Sequence, residues 1–256
     1  MQESPDKKLT TITTFQFQKG NKLECEDAPP VVSEQYAIVC DGLGGSGSHK
    51  HRCCSPNSDE ETIHSSAFLG ARIVSNYVST FYQHANILEL FSDNLSVRQC
   101  AVQNFVTSMK QGLLDELQQQ YNHNYPLISK RFGDFHIFPT TLASVLYHHH
   151  QNCVKILSVW AGDSRVYILT PSKGLQQLTL DDSKSGKEMI SDSAMSNCIK
   201  ANHSFYINFS YYEINEPCVV FCCTDGCFDY CTPMHLEMIF YKVIEDNLPQ
   251  NDNSIE

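Results

Sequence analysis

Three apolar runs of this chain end in the same way, on an aspartate beside a glycine, and that recurrence constrains the fold more than anything else in the sequence. YAIVC (36–40) runs into Asp41-Gly42, VKILSVW (154–160) into Ala161-Gly162-Asp163, and CVVFCC (218–223) into Thr224-Asp225-Gly226. Each run has the length of a strand and is rich in β-branched or aromatic residues. An aspartate placed where a strand leaves the core is held by a rigid element, and the neighbouring glycine lets a backbone carbonyl approach the same ion. A single Asp-Gly reads as readily as a hairpin turn. DGLGG (41–45) is longer and richer in glycine than a hairpin needs, and acids that close strand after strand favour one shared metal site. A fourth acidic group, Glu24, Glu26 and Asp27, follows the candidate strand TTFQFQ (13–18). Oxygen-only clusters of this kind select hard octahedral ions, magnesium or manganese, and point to hydrolysis.

Two more strand-length runs, LASVLY (142–147) and RVYIL (165–169), complete the β pattern, and two helical patterns interrupt it. Apolar residues recur at 67, 71, 74, 77, 78 and 81, and again at 102, 105, 106, 109, 113 and 117, which predicts helices over Ala67–Phe81 and Val102–Leu117. Ser96 and Gln99 form a candidate capping box for the second. A third helix is predicted from Pro233, with Thr232 as its N-cap and Met234, Ile239, Phe240, Val243 and Ile244 as its apolar stripe. Strands, two helices, strands, one helix is the order of an α+β domain with helices segregated on the sheets. His49 to Glu61 and most of 181 to 203 read as loops, and His148-His149-His150 as a solvated turn between strands.

Composition narrows the function. With 41 % apolar residues in 256 the chain has material for a real core, and its formal charge of −11 is the wrong sign for a general hold on nucleic acid or anionic lipid. Any phosphate must therefore be gripped locally, by a metal or a few placed cations. There is no stretch of membrane-helix length, and MQESPDKKLTTITT lacks the apolar segment of a secretory signal, so a cytoplasmic location is expected. The twelve cysteines read as reduced thiols, since Cys40, Cys218, Cys222 and Cys223 sit inside apolar runs as small hydrophobes. None is followed six positions later by Arg, the spacing of cysteine phosphatases.

Taken in order, Glu26-Asp27-Ala28 after Gly20, Asp41-Gly42-Leu43-Gly44-Gly45, Thr140-Thr141-Leu142, Gly162-Asp163-Ser164-Arg165 and Thr224-Asp225-Gly226 with Asp229 resemble the motifs of the metal-dependent type 2C protein phosphatases, the PPM family. The resemblance runs from about Phe15 to Ile244. It implies a β-sandwich of two antiparallel sheets flanked by helices, with a two-metal centre at one end, and hydrolysis of phosphoserine and phosphothreonine in proteins. By motif match Asp41 bridges both metals, the Gly42 carbonyl binds one, Asp225 holds the other, and Asp27 contacts the site through metal-bound water. Asp163 and Asp229 match acids that hold a third, weaker ion in some members, and Lys22 falls where the family usually has a phosphate-binding Arg. Two divalent ions about 3.5–4 Å apart would activate a bridging water for in-line attack, with no covalent phosphoenzyme.

The pattern departs at three places. Lys22 offers a point charge instead of a guanidinium fork, and Leu43 lacks the leaving-group donor that some members carry as His. The family's terminal metal-binding Asp has only an imitation in Asp252-Asn253, 27 residues beyond Asp225 and with one helix between where two are usual. The reading is therefore a single domain over 1–256 that stops before its last helix and strand. Lys22 and that acid motivate a rival reading, a pseudophosphatase serving as a binding or regulatory module. His49, His51, Cys53 and Cys54 have the residue types of a zinc site without its paired spacing, and Ser185-Gly186-Lys187 lacks the glycine spacing of a P-loop. The expected partner is a phosphoprotein, with basic phosphosites suited to an acidic surface.

Overall fold

The apolar runs pair antiparallel throughout. The computed structural model describes residues 25–43, 49–54, 61–129, 136–150, 152–182 and 195–247. In chain order it contains strands β1 (Val31–Val32), β2 (Tyr36–Val39), β3 (Lys50–Cys54) and β4 (Glu61–Ser65), then helices α1 (Ser66–Gln83), α2 (Ile87–Leu90) and α3 (Leu95–Gln119). A π-helical turn (Gln120–Asn124) leads to β5 (Leu127–Ser129), β6 (Leu142–His150), β7 (Cys153–Ala161), β8 (Arg165–Thr170), β9 (Gly174–Gln177), β10 (Asn208–Ile214) and β11 (Val219–Cys223). Helices α4 (Asp225–Phe228) and α5 (Pro233–Asn247) follow. The predicted strand 13–18, with Lys22, Glu24 and Asp252, lies outside the described residues.

One sheet has the order β1-β2-β6-β7-β10 and a second β11-β8-β9. Both faces of the central strands are buried, which is why they read as continuous apolar runs. Along β6, Leu142 and Leu146 belong to the core shared with Ala71, Val74, Val78, Met109 and Leu113 of α1 and α3. Ala143 and Val145, on the opposite face, pack with Val166, Ile168 and Cys222 of the second sheet. The outer face of that sheet meets α5, where Phe221 and Phe240 stack with ring centres 3.9 Å apart. The layers are therefore helix, sheet, sheet, helix, the sandwich expected from the motifs. No helix among the described residues is long and apolar enough to cross a membrane.

Several local expectations are corrected. The stretch His49–Glu61 is not simply a loop, because β3 and β4 pair across it and, with β5, make a third small sheet. Its polar letters hide burial: His51 is 0 % exposed, donates from Nδ1 to the Tyr125 carbonyl (2.7 Å) and meets Ser66 Oγ through Nε2 (3.1 Å). His148–His150 are not a turn either; they extend β6 to its pairing with Cys153, with His148 stacked on Phe91. Helix α3 starts seven residues before Val102, and its N-cap is Asn94, whose Oδ1 accepts from the amides of Ser96 and Val97, so Ser96 lies inside the helix. Thr232 does cap α5, its Oγ1 accepting from His235 N at 3.3 Å.

Helix α1 approaches one loop so closely that only glycine fits. A Cβ on Gly70 would lie 2.5 Å from the backbone carbon and oxygen of Phe138, itself held at φ 54°. Gly70→Ala should therefore destabilise the fold by about 1–3 kcal/mol through overpacking, despite a gain of about 1 kcal/mol in helix propensity. Gly112→Ala meets only the hydroxyl end of Tyr77, a side chain able to swing aside. Its shift in Tm should be less than half as large in parallel thermal melts.

Candidate metal centre

Each acid is delivered by a strand end. β2 passes through buried Cys40 to Asp41, whose backbone is tied on both sides: its N–H donates to Thr141 Oγ1 (3.1 Å), and its carbonyl accepts from Thr141 N (2.9 Å) and Thr140 Oγ1 (2.7 Å). Gly42 pairs with Thr140 through bonds made by its neighbours, so its own peptide groups point away from that strand. A side chain there is excluded, since a Cβ would lie 2.7 Å from the carbonyl oxygens of both Ala67 and Glu26. Asp27 precedes Ala28, whose N–H donates to the Cys40 carbonyl at 3.0 Å, and this lays the Asp27 segment alongside Asp41. Asp27 Oδ2 accepts from Thr224 Oγ1 at 3.2 Å, which ties it to the end of β11 and thus to Asp225.

Asp27, Asp41 and Asp225 converge. Asp41 stands within hydrogen-bond reach of both other carboxyls, and its pKa is raised by burial, then by Asp27, then by Asp225. Asp163 is pushed up to about 6, chiefly by burial and next by the charge of Asp225. Asp229 is brought only to the edge: its N–H donates to the Asp225 carbonyl (2.9 Å) at the exposed end of α4. Among the described residues no three His, Cys, Asp or Glu side chains are already closed around one point as a metal would require. The donor set nevertheless fits a hard dication, since all its atoms are oxygens and the carboxyls raise one another's pKa.

The surroundings hold this rim together. Ser164 Oγ lies 2.6 Å from Thr141 Oγ1, joining the β7–β8 turn to Asp41. Arg165 donates to Asp181 from Nε (2.9 Å) and from its terminal nitrogen (2.6 Å), and its guanidinium lies 3.7 Å over the Phe228 ring of α4. Thr140, Thr141 and Arg165 stand in the sequence motifs with no task evident there, and Asp181 and Asp182 fall in a stretch that reads as loop.

No protein-family model and no curated protein matches the sequence. Solved structures do match. The chain is 16 % identical to serine/threonine phosphatase Stp1 from Staphylococcus aureus, covering 95 % of this chain and 89 % of that one at a TM-score of 0.58. It is 17 % identical to a bacterial serine phosphatase, covering 87 % and 82 %, at 0.55. It is 15 % identical to the catalytic domain of phosphatase PstP in complex with 2 manganese ions, covering 88 % and 85 %, at 0.51.

The raised carboxyls set the pH response of the metal-free protein. A carboxyl whose folded pKa lies above its unfolded value binds more protons folded than unfolded, so stability is lost as pH rises. Asp163 acts between its unfolded value near 3.8 and about 6, and Asp41, raised further, extends the loss upward. His51 and His148, lowered by burial, add stability as pH rises to about 6.5, so Tm of the metal-free chain should fall above that, toward pH 7.5, and Asp41→Asn should flatten that slope in the same melts. This chain has the fold of the bacterial PPM-type serine/threonine phosphatases.

Proposed function

We propose that this chain is a metal-dependent phosphatase of the PPM family that hydrolyses phosphoserine and phosphothreonine in proteins with manganese or magnesium. The observation that carries the reading is the meeting of Asp27 and Asp225 at Asp41, from three distant parts of the chain, with Asp163 beside them. The relatedness of the sandwich to solved phosphatases, one of them with 2 manganese ions, supports it.

Bound divalent ions would supply the Lewis acidity that lowers a water's pKa and offsets charge on the phosphoryl oxygens. Asp41 would hold both ions, and its doubly tied backbone limits how far that carboxylate can drift. Asp225 and the Gly42 carbonyl would complete one ligand set each, while Asp27, oriented by Thr224, would position water at the same ions. Asp163 and Asp229 would hold a third, weaker ion. Lys22 would draw the phosphate in as a point charge. Leu43 has no proton to give to the leaving group.

Hydrolysis of p-nitrophenyl phosphate should require manganese or magnesium and stop on chelation. Asp41→Asn and Asp225→Asn should each lower kcat by about 100-fold or more, as loss of a transition-state electrostatic partner does. Calorimetry should show at least two manganese ions bound, and unchanged turnover in both variants would remove the two-metal assignment. Lys22→Ala should raise KM about tenfold with a smaller effect on kcat, the scale of one charged hydrogen bond.

A further inference from the structure

Asp182 follows β9 in the chain, and four residues from three regions of the chain donate to its carboxylate. Oδ2 accepts from the Gly162 N–H (2.9 Å) and from Asn197 Nδ2 (2.7 Å). Oδ1 accepts from Tyr206 Oη (3.2 Å), and Asn208 Nδ2 is shared between the two oxygens at 3.1 and 3.2 Å. A carboxylate offers about four acceptor positions, and here neutral donors fill them. The backbone of the same residue takes part: Asp182 N donates to the Gly162 carbonyl (3.0 Å), and its carbonyl accepts from Ser196 N (2.8 Å).

Both peptide groups of Gly162 are thus gripped by one residue. Gly162 is buried, with φ 98°, in the three-residue turn between β7 and β8, and the next residue is Asp163. Without Oδ2 the Gly162 N–H would be a buried donor with no acceptor in that direction, and the turn would relax toward whatever conformation satisfied it. Asn197 extends the tie by exchanging bonds with Tyr206, its Nδ2 donating to the carbonyl (3.0 Å) and its Oδ1 accepting from the N–H (3.1 Å).

We propose that Asp182 is a positioning residue for the metal centre: by holding Gly162 against Asn197, Tyr206 and Asn208 it aims the Asp163 carboxylate at the ion Asp163 would share with the site. The inference rests on the metal-dependent reading above for its consequence, but the tie itself does not. Asp182→Asn is the sharp variant, because it keeps the volume, removes the charge and turns one acceptor oxygen into a donor that meets Asn208 Nδ2 whichever way the amide is placed.

Hydrogen exchange on the metal-free full chain and manganese titration of the same protein test it together. In Asp182→Asn the Gly162 amide should exchange at least about tenfold faster, while the amides of β6 and β7 keep their rates. Affinity for the weakest-held manganese should fall about tenfold with the tighter ions unchanged. Asp163→Asn should reproduce the manganese effect without moving Gly162 exchange, and adding Asp182→Asn to it should change manganese binding no further. Tyr206→Phe removes one donor only and should give a smaller exchange increase, which keeps the test open if Asp182→Asn does not fold. Gly162 exchange at the unaltered rate in Asp182→Asn, or in Tyr206→Phe where Asp182→Asn does not fold, overturns the proposal, as does an unchanged manganese profile alongside accelerated exchange. If the unaltered chain takes up no manganese the phosphatase reading fails, and the exchange result alone upholds or overturns the tie to Gly162.

Discussion

The backbone of Asp41 is the fixed point of this molecule. Its N–H and carbonyl are both claimed by the Thr140-Thr141 segment, and Thr141 passes the tie to Ser164 in the next turn. Two strand exits are thereby joined through one threonine hydroxyl, and Ala28 docks the Asp27 segment on the Cys40 carbonyl just before them. Side-chain placement at the rim follows from main-chain bonds that form with the sheet, so the acids are aimed by the same interactions that make the sandwich.

That arrangement sets folding against electrostatics. Sheet pairing and two buried cores drive the strands together, and the acids at their ends are carried into one another's fields whether or not that is favourable. Arg165 relieves the conflict only in part: its charge lowers the pKa of Asp163, but its guanidinium is bonded to Asp181 and Tyr167 and lies over the Phe228 ring. A cluster of mutually repelling oxygens held rigid carries a cost that a bound dication would offset.

Legibility in the sequence followed burial pattern. The central strands could be read because both their faces are covered, and Asp41, Asp163 and Asp225 because each lies where an apolar run stops. β3 and β4 could not, since KHRCC and ETIHS look polar until Tyr125 and Ser66 satisfy His51. The end of β6 was obscured in the same way: three histidines suggest solvent, yet Phe91 covers one of them, and neighbouring Lys155 is buried with its amine on the Phe91 carbonyl and Asp93. Asp182 left no local signal, because its partners Gly162, Asn197, Tyr206 and Asn208 are separated from it by 15 to 26 residues and share no period with it.

Phe138 sits where the appended hairpin, the first helix and the acidic rim touch. Its N–H donates to Ser66 Oγ (2.8 Å), its ring lies 4.8 Å from that of His51, and its left-handed backbone is kept in place by the closeness of Gly70. Two residues later the chain reaches Thr140, which grips Asp41. A disturbance on the far side of the small third sheet therefore has a short mechanical route to the carboxylates: a lever whose fulcrum is one enclosed aromatic residue.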